Sequence, residues 1–184
     1  GKGIYVTRDP LLTVKDEAIV QEYVDRPMLL EGHKFDLRIY VLLRSLDPLR
    51  IYVFREGLCR LATTSYQTPS SDNASNEKMH LTNYAINRQD PSYVANKDLS
   101  KDDEGHKRSY TSLLKHLGKV GLDRAKVERD IEAVIVKTIL ASYTKLLRSY
   151  QKTREVNTKY SPIKEGNFRE ESSLNNKEEP SVCF

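Results

Sequence analysis

The 184-residue chain contains no tryptophan, only four phenylalanines and only two cysteines. Each scarcity removes a class of protein. Cys59 and Cys183 lie far apart and fit neither a disulfide framework nor a zinc ligand pattern, which favours a reducing compartment. His33, His80, His106 and His116 show no metal spacing with one another or with the cysteines. Without tryptophan, and with no aromatic pair placed as a base-stacking platform, the composition counts against nucleic acid as a partner. No stretch approaches the roughly 18 apolar residues of a membrane-spanning helix, and no charged-then-apolar signal segment opens the sequence. Asn73-Ala74-Ser75 matches a glycosylation acceptor, but with no secretory signal beside it this reads as a chance match.

What is present is charge. Lysine and arginine number 30 against 26 aspartate and glutamate, a net of +4, in a chain that is 38% hydrophobic and 30% charged. Such a chain can bury a core and must keep much of itself wet. Residues 1–100 are neutral overall, whereas residues 101–160 carry fourteen basic and eight acidic residues, so the positive excess is local. A localised basic surface attracts an acidic partner, whether nucleic acid, an anionic membrane or an acidic protein tail. The same residues also suit the solvated face of a helix.

The length suits one domain. Residues 19–24 (IVQEYV) predict a strand closed by a turn at Asp25-Arg26-Pro27. From His33 to Leu43, Phe35, Leu37, Ile39, Val41 and Leu43 alternate at period two, the clearest strand signal in the chain. Leu46-Asp47-Pro48-Leu49 predicts a turn, Arg50–Phe54 an antiparallel partner, and Glu56-Gly57 a second turn into a third strand over 58–63. Residues 65–79 read as a loop and 79–86 as a compact ordered element. The polar stretch 87–105 reads as mobile. A helix is expected from His106 to Leu117, ended by Gly118 and Gly121. Asp123 can cap a longer one, in which Val127, Ile131, Val134, Ile135, Ile139, Ser142 and Leu146 recur at helical spacing. From Gln151 to Pro180 the sequence is polar without apolar periodicity and reads as a linker or disordered insertion.

Opposite the apolar face of the 33–43 strand stand Lys34, Asp36 and Arg38, roughly 6.5 Å apart in succession. A row of this kind can line a phosphate chain, with the acid orienting one of the cations. It can equally be a solvated strand face with cross-strand ion pairs. Arg60, on a neighbouring predicted strand, can project onto the same surface. Gly1-Lys2-Gly3-Ile4 can be the end of a glycine-rich phosphate loop. His80-Leu81-Thr82-Asn83 packs three hydrogen-bonding side chains into four positions, which suits either a turn or a pocket wall.

In their order and separation, "QEYV", "GHKFDLRIYVLL", "DPLRIYVFREGLCRLATTSY" and "MHLTNYAIN" resemble the tubulin tyrosine ligase-like enzymes, and among these the tubulin polyglutamylases. The match is dense over residues 1–90 and looser over 106–150. The resemblance implies an α+β, ATP-grasp-like fold, an antiparallel sheet with flanking helices, incomplete at both ends. Residues 1–150 would be part of the ligase core, and 151–184 an insertion leading into a further strand that opens at Val182-Cys183-Phe184. It also implies ATP-dependent addition of glutamate to glutamates of acidic tubulin tails through an acyl-phosphate, with microtubules as partner. The location implied is cytoplasmic and cytoskeletal, extending to cilium, flagellum or basal body.

Carried onto this sequence, the resemblance places Gly1, Lys2 and Gly3 in the loop over the ATP phosphates. Gln21, Glu22, Tyr23 and Val24 become the adenine hinge, where Glu22 stands in place of the usual lysine at a backbone contact. Lys34, Asp36 and Arg38 line the phosphates and the incoming amino acid, Arg60 faces the acyl-phosphate and glutamate, and His80, Leu81, Thr82 and Asn83 close the pocket. Magnesium is implied as well, on an Asp and a Glu-x-Asn pair expected beyond residue 184, so the 184 residues alone are expected to have little or no ligase activity. A tubulin glycylase or another amino-acid ligase of the same kind, a pseudoenzyme, and a basic microtubule- or RNA-binding module without chemistry are the rival readings.

Overall fold

The computed structural model describes residues 3–8, 18–96, 98, 101–160 and 182–183, with the backbone alone for 155–160 and 182–183. Gly1, Lys2 and the stretch 161–181 lie outside the described residues. In chain order the elements are β1 (Leu29–Leu30), β2 (His33–Leu46), β3 (Leu49–Leu61), α1 (Glu77–His80), α2 (Tyr84–Asn87), β4 (Lys107–Ser109), α3 (Tyr110–Lys119), α4 (Arg124–Tyr160) and β5 (Val182–Cys183). The strands form one sheet in the order β1-β2-β3-β4, with β5 also paired to β3. This is the α+β arrangement expected from the sequence, an antiparallel sheet accompanied by helices.

The alternation from Phe35 to Leu43 produces β2, and the Asp47-Pro48 turn returns the chain as β3. Two expectations fail here. The predicted turn at Glu56-Gly57 is absent, because β3 runs unbroken from Leu49 to Leu61 and absorbs the expected third strand. Gly57 marks a close crossing: a Cβ at this position would stand 2.6 Å from the carbonyl oxygen of Arg38. The strand predicted over 19–24 is not formed. Ile19, Val20 and Val24 are β-prone yet exposed, with no partner strand among the described residues. Instead Glu31 and Gly32, at φ 54° and 80°, make a tight left-handed turn that lays Leu29–Leu30 against His33–Lys34.

The helix expected from His106 begins at Tyr110. Lys107–Ser109 is a short edge strand, with Leu58, Cys59 and Arg60 facing Ser109, Arg108 and Lys107. The Ser109 hydroxyl then accepts the Ser112 N–H at 2.9 Å and starts α3. Tyr110, Leu113, Leu114 and Leu117 are buried at helical spacing. They share the core with Leu30, Cys59, Leu61, Ala62 and Met79, each large side chain contributing about 1.5–3 kcal/mol of burial. Within the stretch expected to be mobile after residue 87, Asp90 accepts from the Ser92 N–H at 2.9 Å, and Tyr93 stacks on His106.

Asp123 caps α4 as expected, accepting the Lys126 N–H at 3.0 Å. The helix runs on through residues 151–160, where a linker was expected. Lys, Arg, Gln and Glu are good helix formers, and a polar helix needs no apolar stripe once a preceding segment has nucleated it. Val127, Ile131, Ile135, Ile139, Tyr143 and Leu147 are half-buried at four-residue spacing, whereas Val134 and Leu146 are exposed. Contacts divide the chain into Gly1–Ile39 with Glu56–Val120, and Tyr40–Arg55 with Gly121–Phe184. In the second unit Tyr143 donates to the Leu46 carbonyl at 2.8 Å, and Val182 and Cys183 pair with Tyr52 and Ile51. No helix among the described residues is long and apolar enough to cross a membrane.

Candidate active site

The described sequence-predicted site residues all belong to the first unit. Beyond Leu61 the chain stays against the start of β2: the Ala62 N–H donates to Lys34 O at 2.9 Å and the Tyr66 N–H to Gly32 O at 2.8 Å. This frames Lys34, whose ammonium sits over the Tyr23 ring, 4.0 Å from its centroid. Burial lowers the Lys34 pKa, with Asp36 opposing the shift.

Tyr23 leads on to His80. The His80 Nε2 lies 2.9 Å from Asn73 O, a carbonyl that can only accept, so Nε2 carries the proton. Nδ1 is then the acceptor for the Tyr23 hydroxyl at 2.8 Å. Burial is the main reason that the Tyr23 pKa lies well above the ordinary value, with a bond to Tyr66 adding to it. Both His80 nitrogens are thus engaged by protein in a side chain that is 1% exposed. Asn73 has its own amide occupied by Ser70 N and Thr68 O.

Across the sheet, Asp36 and Arg60 pair side by side: Nε donates to Oδ1 at 2.9 Å, and Nη2 donates to Oδ2. The carboxylate therefore fixes the plane of the guanidinium. Arg38 is exposed two residues beyond Asp36 on the same strand face. Arg60 also lines a small cleft with Thr82, Tyr84, Tyr93 and His106. His106 Nδ1 accepts the Val94 N–H at 3.0 Å, and burial lowers its pKa, reinforced by His33. The ring is accordingly neutral, with its remaining proton on Nε2.

Sequence reasoning missed the residue that holds the Leu81-Thr82-Asn83 segment. Asn87 is buried, and its Oδ1 accepts both the N–H and the hydroxyl of Thr63, at 2.8 and 3.0 Å. Its Nδ2 donates to Leu81 O at 2.7 Å and Asn83 O at 3.1 Å. One amide thus ties the end of β3 to the backbone on either side of Thr82. The only available sign was an asparagine four residues after Asn83, which reads as an ordinary helix end. Arg108 was missed as well; it forks onto Glu31 at 2.8 and 2.5 Å and clamps the β1–β2 turn to β4.

Among the predicted residues, the structure thus gathers Tyr23, Lys34 and His80 into one cluster, and Asp36 with Arg60 into another beside Thr82. Gln21, Glu22 and Val24 are exposed on a segment that is neither helix nor strand, and Gly3 is at φ 76°. Behind Arg60, Cys59 is fully buried, and burial pushes its thiol pKa up to about 12. Among the described residues no group of three or more His, Cys, Asp or Glu side chains is placed to hold a metal ion.

Lys34, Arg38 and Arg60 thus stand on the sheet of an α+β protein, with Arg60 oriented by a carboxylate. Residues 1–160 match the tubulin-tyrosine ligase family, and the chain belongs to it. It is 47% identical over 152 residues to a probable beta-tubulin polyglutamylase of Tetrahymena thermophila, covering 82% of this chain and 13% of that protein. Against the human tubulin polyglutamylase TTLL6 the identity is 42% over 156 residues, 82% of this chain and 16% of the relative. Against human TTLL13 it is 40% over 152 residues, 82% and 18%. The chain therefore spans less than a fifth of the length of these relatives. The family inferred from the sequence motifs is the family found, and its ATP-grasp-like α+β architecture is consistent with the observed sheet and helices.

Proposed function

We propose that the protein is an ATP-dependent ligase that joins glutamate to side-chain carboxylates of glutamates in tubulin tails. The observation that carries this reading is the Arg60 guanidinium held in one plane by Asp36, with Lys34 and Arg38 on the same strand as Asp36. In the first step the tail carboxylate oxygen attacks the γ-phosphorus of ATP, ADP leaves, and an acyl-phosphate forms. In the second, the amine of free glutamate attacks the acyl carbon, phosphate departs, and the nitrogen loses a proton to give the amide. Negative charge builds on the transferring group, and cations fixed beforehand at that place lower the barrier more than they strengthen ground-state binding.

Lys34 and Arg38 take the phosphates, while Asp36 aims Arg60 at the acyl-phosphate and the incoming glutamate. Gly1, Lys2 and Gly3 cover the phosphates, and the backbone of Glu22 and Val24, between Gln21 and Tyr23, receives adenine. Thr82 and Asn83 close the pocket. Because both nitrogens of His80 are engaged, His80 positions Tyr23 and through it the Lys34 ammonium. The donor set suits ATP, since cations and backbone N–H groups match phosphate oxygens. Among the described residues no ligand cluster is placed to hold magnesium; the ion, which the family resemblance implies, would add its charge to that of these cations.

The names of the relatives support tubulin as the acceptor. Charge supports the acidic tail: from 133 to 154, α4 carries Lys137, Lys145, Arg148, Lys152 and Arg154 and no acid. A cytoskeletal location, including cilium or basal body, follows from such a substrate. The test is incorporation of labelled glutamate into microtubules by the full-length protein, in competition with labelled glycine. Glutamate incorporation that Arg60→Ala slows by about 10²–10³-fold is the expected result. Preferential glycine incorporation would make it a glycylase, and no incorporation of either would reject the reading.

A further inference from the structure

Lys107 was expected on the surface of a helix and instead stands in edge strand β4, directly across from Arg60. Opposed residues of an antiparallel pair share a face of the sheet, with Cβ atoms roughly 4.5–5.5 Å apart, and like charges so placed destabilise the pairing. Asp36, both of whose oxygens engage Arg60, offsets the Arg60 charge, so the three groups together carry one excess positive charge. Lys107 is exposed and makes no ion pair among the described residues. Both cations line the cleft that holds Thr82, Tyr84, Tyr93 and His106, and no carboxylate is among its lining residues. The neutral His106, its Nδ1 occupied by the Val94 N–H, brings a donor and no competing charge. The cleft therefore has a surplus positive charge beside a threonine and two tyrosines, a setting that suits a carboxylate.

We propose that Lys107 is a specificity-determining residue that receives the side-chain carboxylate of the incoming dicarboxylic amino acid beside Arg60. This rests on the ligase reading above and deepens it. Glycine has no such carboxylate and forgoes the charge-assisted hydrogen bond that Lys107 would make to glutamate. A phosphate oxygen of ATP shares the chemistry, so the experiment separates the two.

The test uses the full-length protein as wild type, Lys107→Met, which keeps the apolar stem, and Lys107→Arg, which restores the charge. The expected result is a KM for glutamate raised about 10- to 100-fold in Lys107→Met, the range of one charge-assisted hydrogen bond. The KM for ATP stays within about twofold, the glutamate-to-glycine incorporation ratio falls, and Lys107→Arg stays near wild type. An unchanged glutamate KM in Lys107→Met overturns the assignment, and so does a rise confined to the ATP KM. Calorimetric titration of glutamate and its side-chain amide, glutamine, against wild type and Lys107→Met decides the point without turnover. Loss of the preference for glutamate supports the assignment, and a retained preference, or no glutamate binding by wild type, overturns it. A wild-type protein that binds glutamate with this preference but incorporates none into tubulin would refute the ligase reading and leave Lys107 standing as a carboxylate-binding residue.

Discussion

Asp36 and Arg60, 24 residues apart in the chain, meet edge to edge across β2 and β3 with two contacts in one plane. The aspartate is thereby spent on orientation, and Arg60 also lines the cleft. Lysine in place of Arg60 would carry the charge without the fork.

Arg60→Lys is accordingly expected to behave much like Arg60→Ala, each lowering the kcat for glutamate incorporation by about 10²–10³-fold, the usual cost of a lost transition-state donor. Asp36→Asn, which retains one acceptor, should cost less. Steady-state incorporation by the full-length protein checks the order. Recovery of most of the activity in Arg60→Lys would show that the planar geometry is not used.

Gly57→Ala places a methyl 2.6 Å from the Arg38 carbonyl oxygen, a backbone atom that no rotamer change can move. Overpacking of this kind costs about 1–3 kcal/mol. A urea unfolding series should show a lower midpoint at unchanged slope. Since Glu56 accepts from both Gly57 N and Thr111, the displacement should also loosen the start of α3, read as faster amide exchange at Thr111 than in wild type.

Asn87→Leu removes an acceptor from Thr63 and a donor from two carbonyls at a buried position. Stranding buried groups costs about 1–3 kcal/mol, so a loss of at least about 2 kcal/mol is expected in unfolding. Asn87→Asp should fare badly too, because its oxygens satisfy Thr63 and confront the Leu81 and Asn83 carbonyls. Stability equal to wild type in Asn87→Asp would contradict the assigned amide orientation.

The His106 pKa is lowered in the folded protein, chiefly by burial. The unfolded chain therefore binds the proton more readily. Its contribution to stability is complete above the unfolded value of about 6.5 and is lost as pH falls from there toward the folded value. Between pH 7.5 and 5.5 the urea midpoint of wild type should drop further than that of His106→Gln. Equal drops would place the acid sensitivity elsewhere.

The sequence made β2 and the Asp123-capped start of α4 readable because period two and period 3.6 persist there over many residues. It also placed Arg60 on a strand beside the Lys34, Asp36 and Arg38 row. Local pattern failed where tertiary packing decides. Gly57 looks like a turn residue, and only the Arg38 backbone beside it explains a glycine inside a strand. Residues 107–109 are too few to show any period, and pairing with β3 sets their conformation, which is why Lys107 was assigned to a helix. Asn87 and the Tyr23–His80 contact join residues far apart or with no pattern of their own. The helical stretch 151–160 is polar, and its composition alone resembles that of a linker.

The immediate chain neighbour of Arg60 has a consequence for chemical probing. Cys59 is sealed in the core with a thiol pushed up to about 12, so at neutral pH almost none of it is the reactive thiolate. Maleimide or iodoacetamide reagents should leave it untouched while the protein is folded and modify it on unfolding. A cysteine introduced at an exposed position such as Lys107 can then be labelled without competition from Cys59, and alkylation of Cys59 becomes a direct reporter of whether the sheet beneath the site has opened.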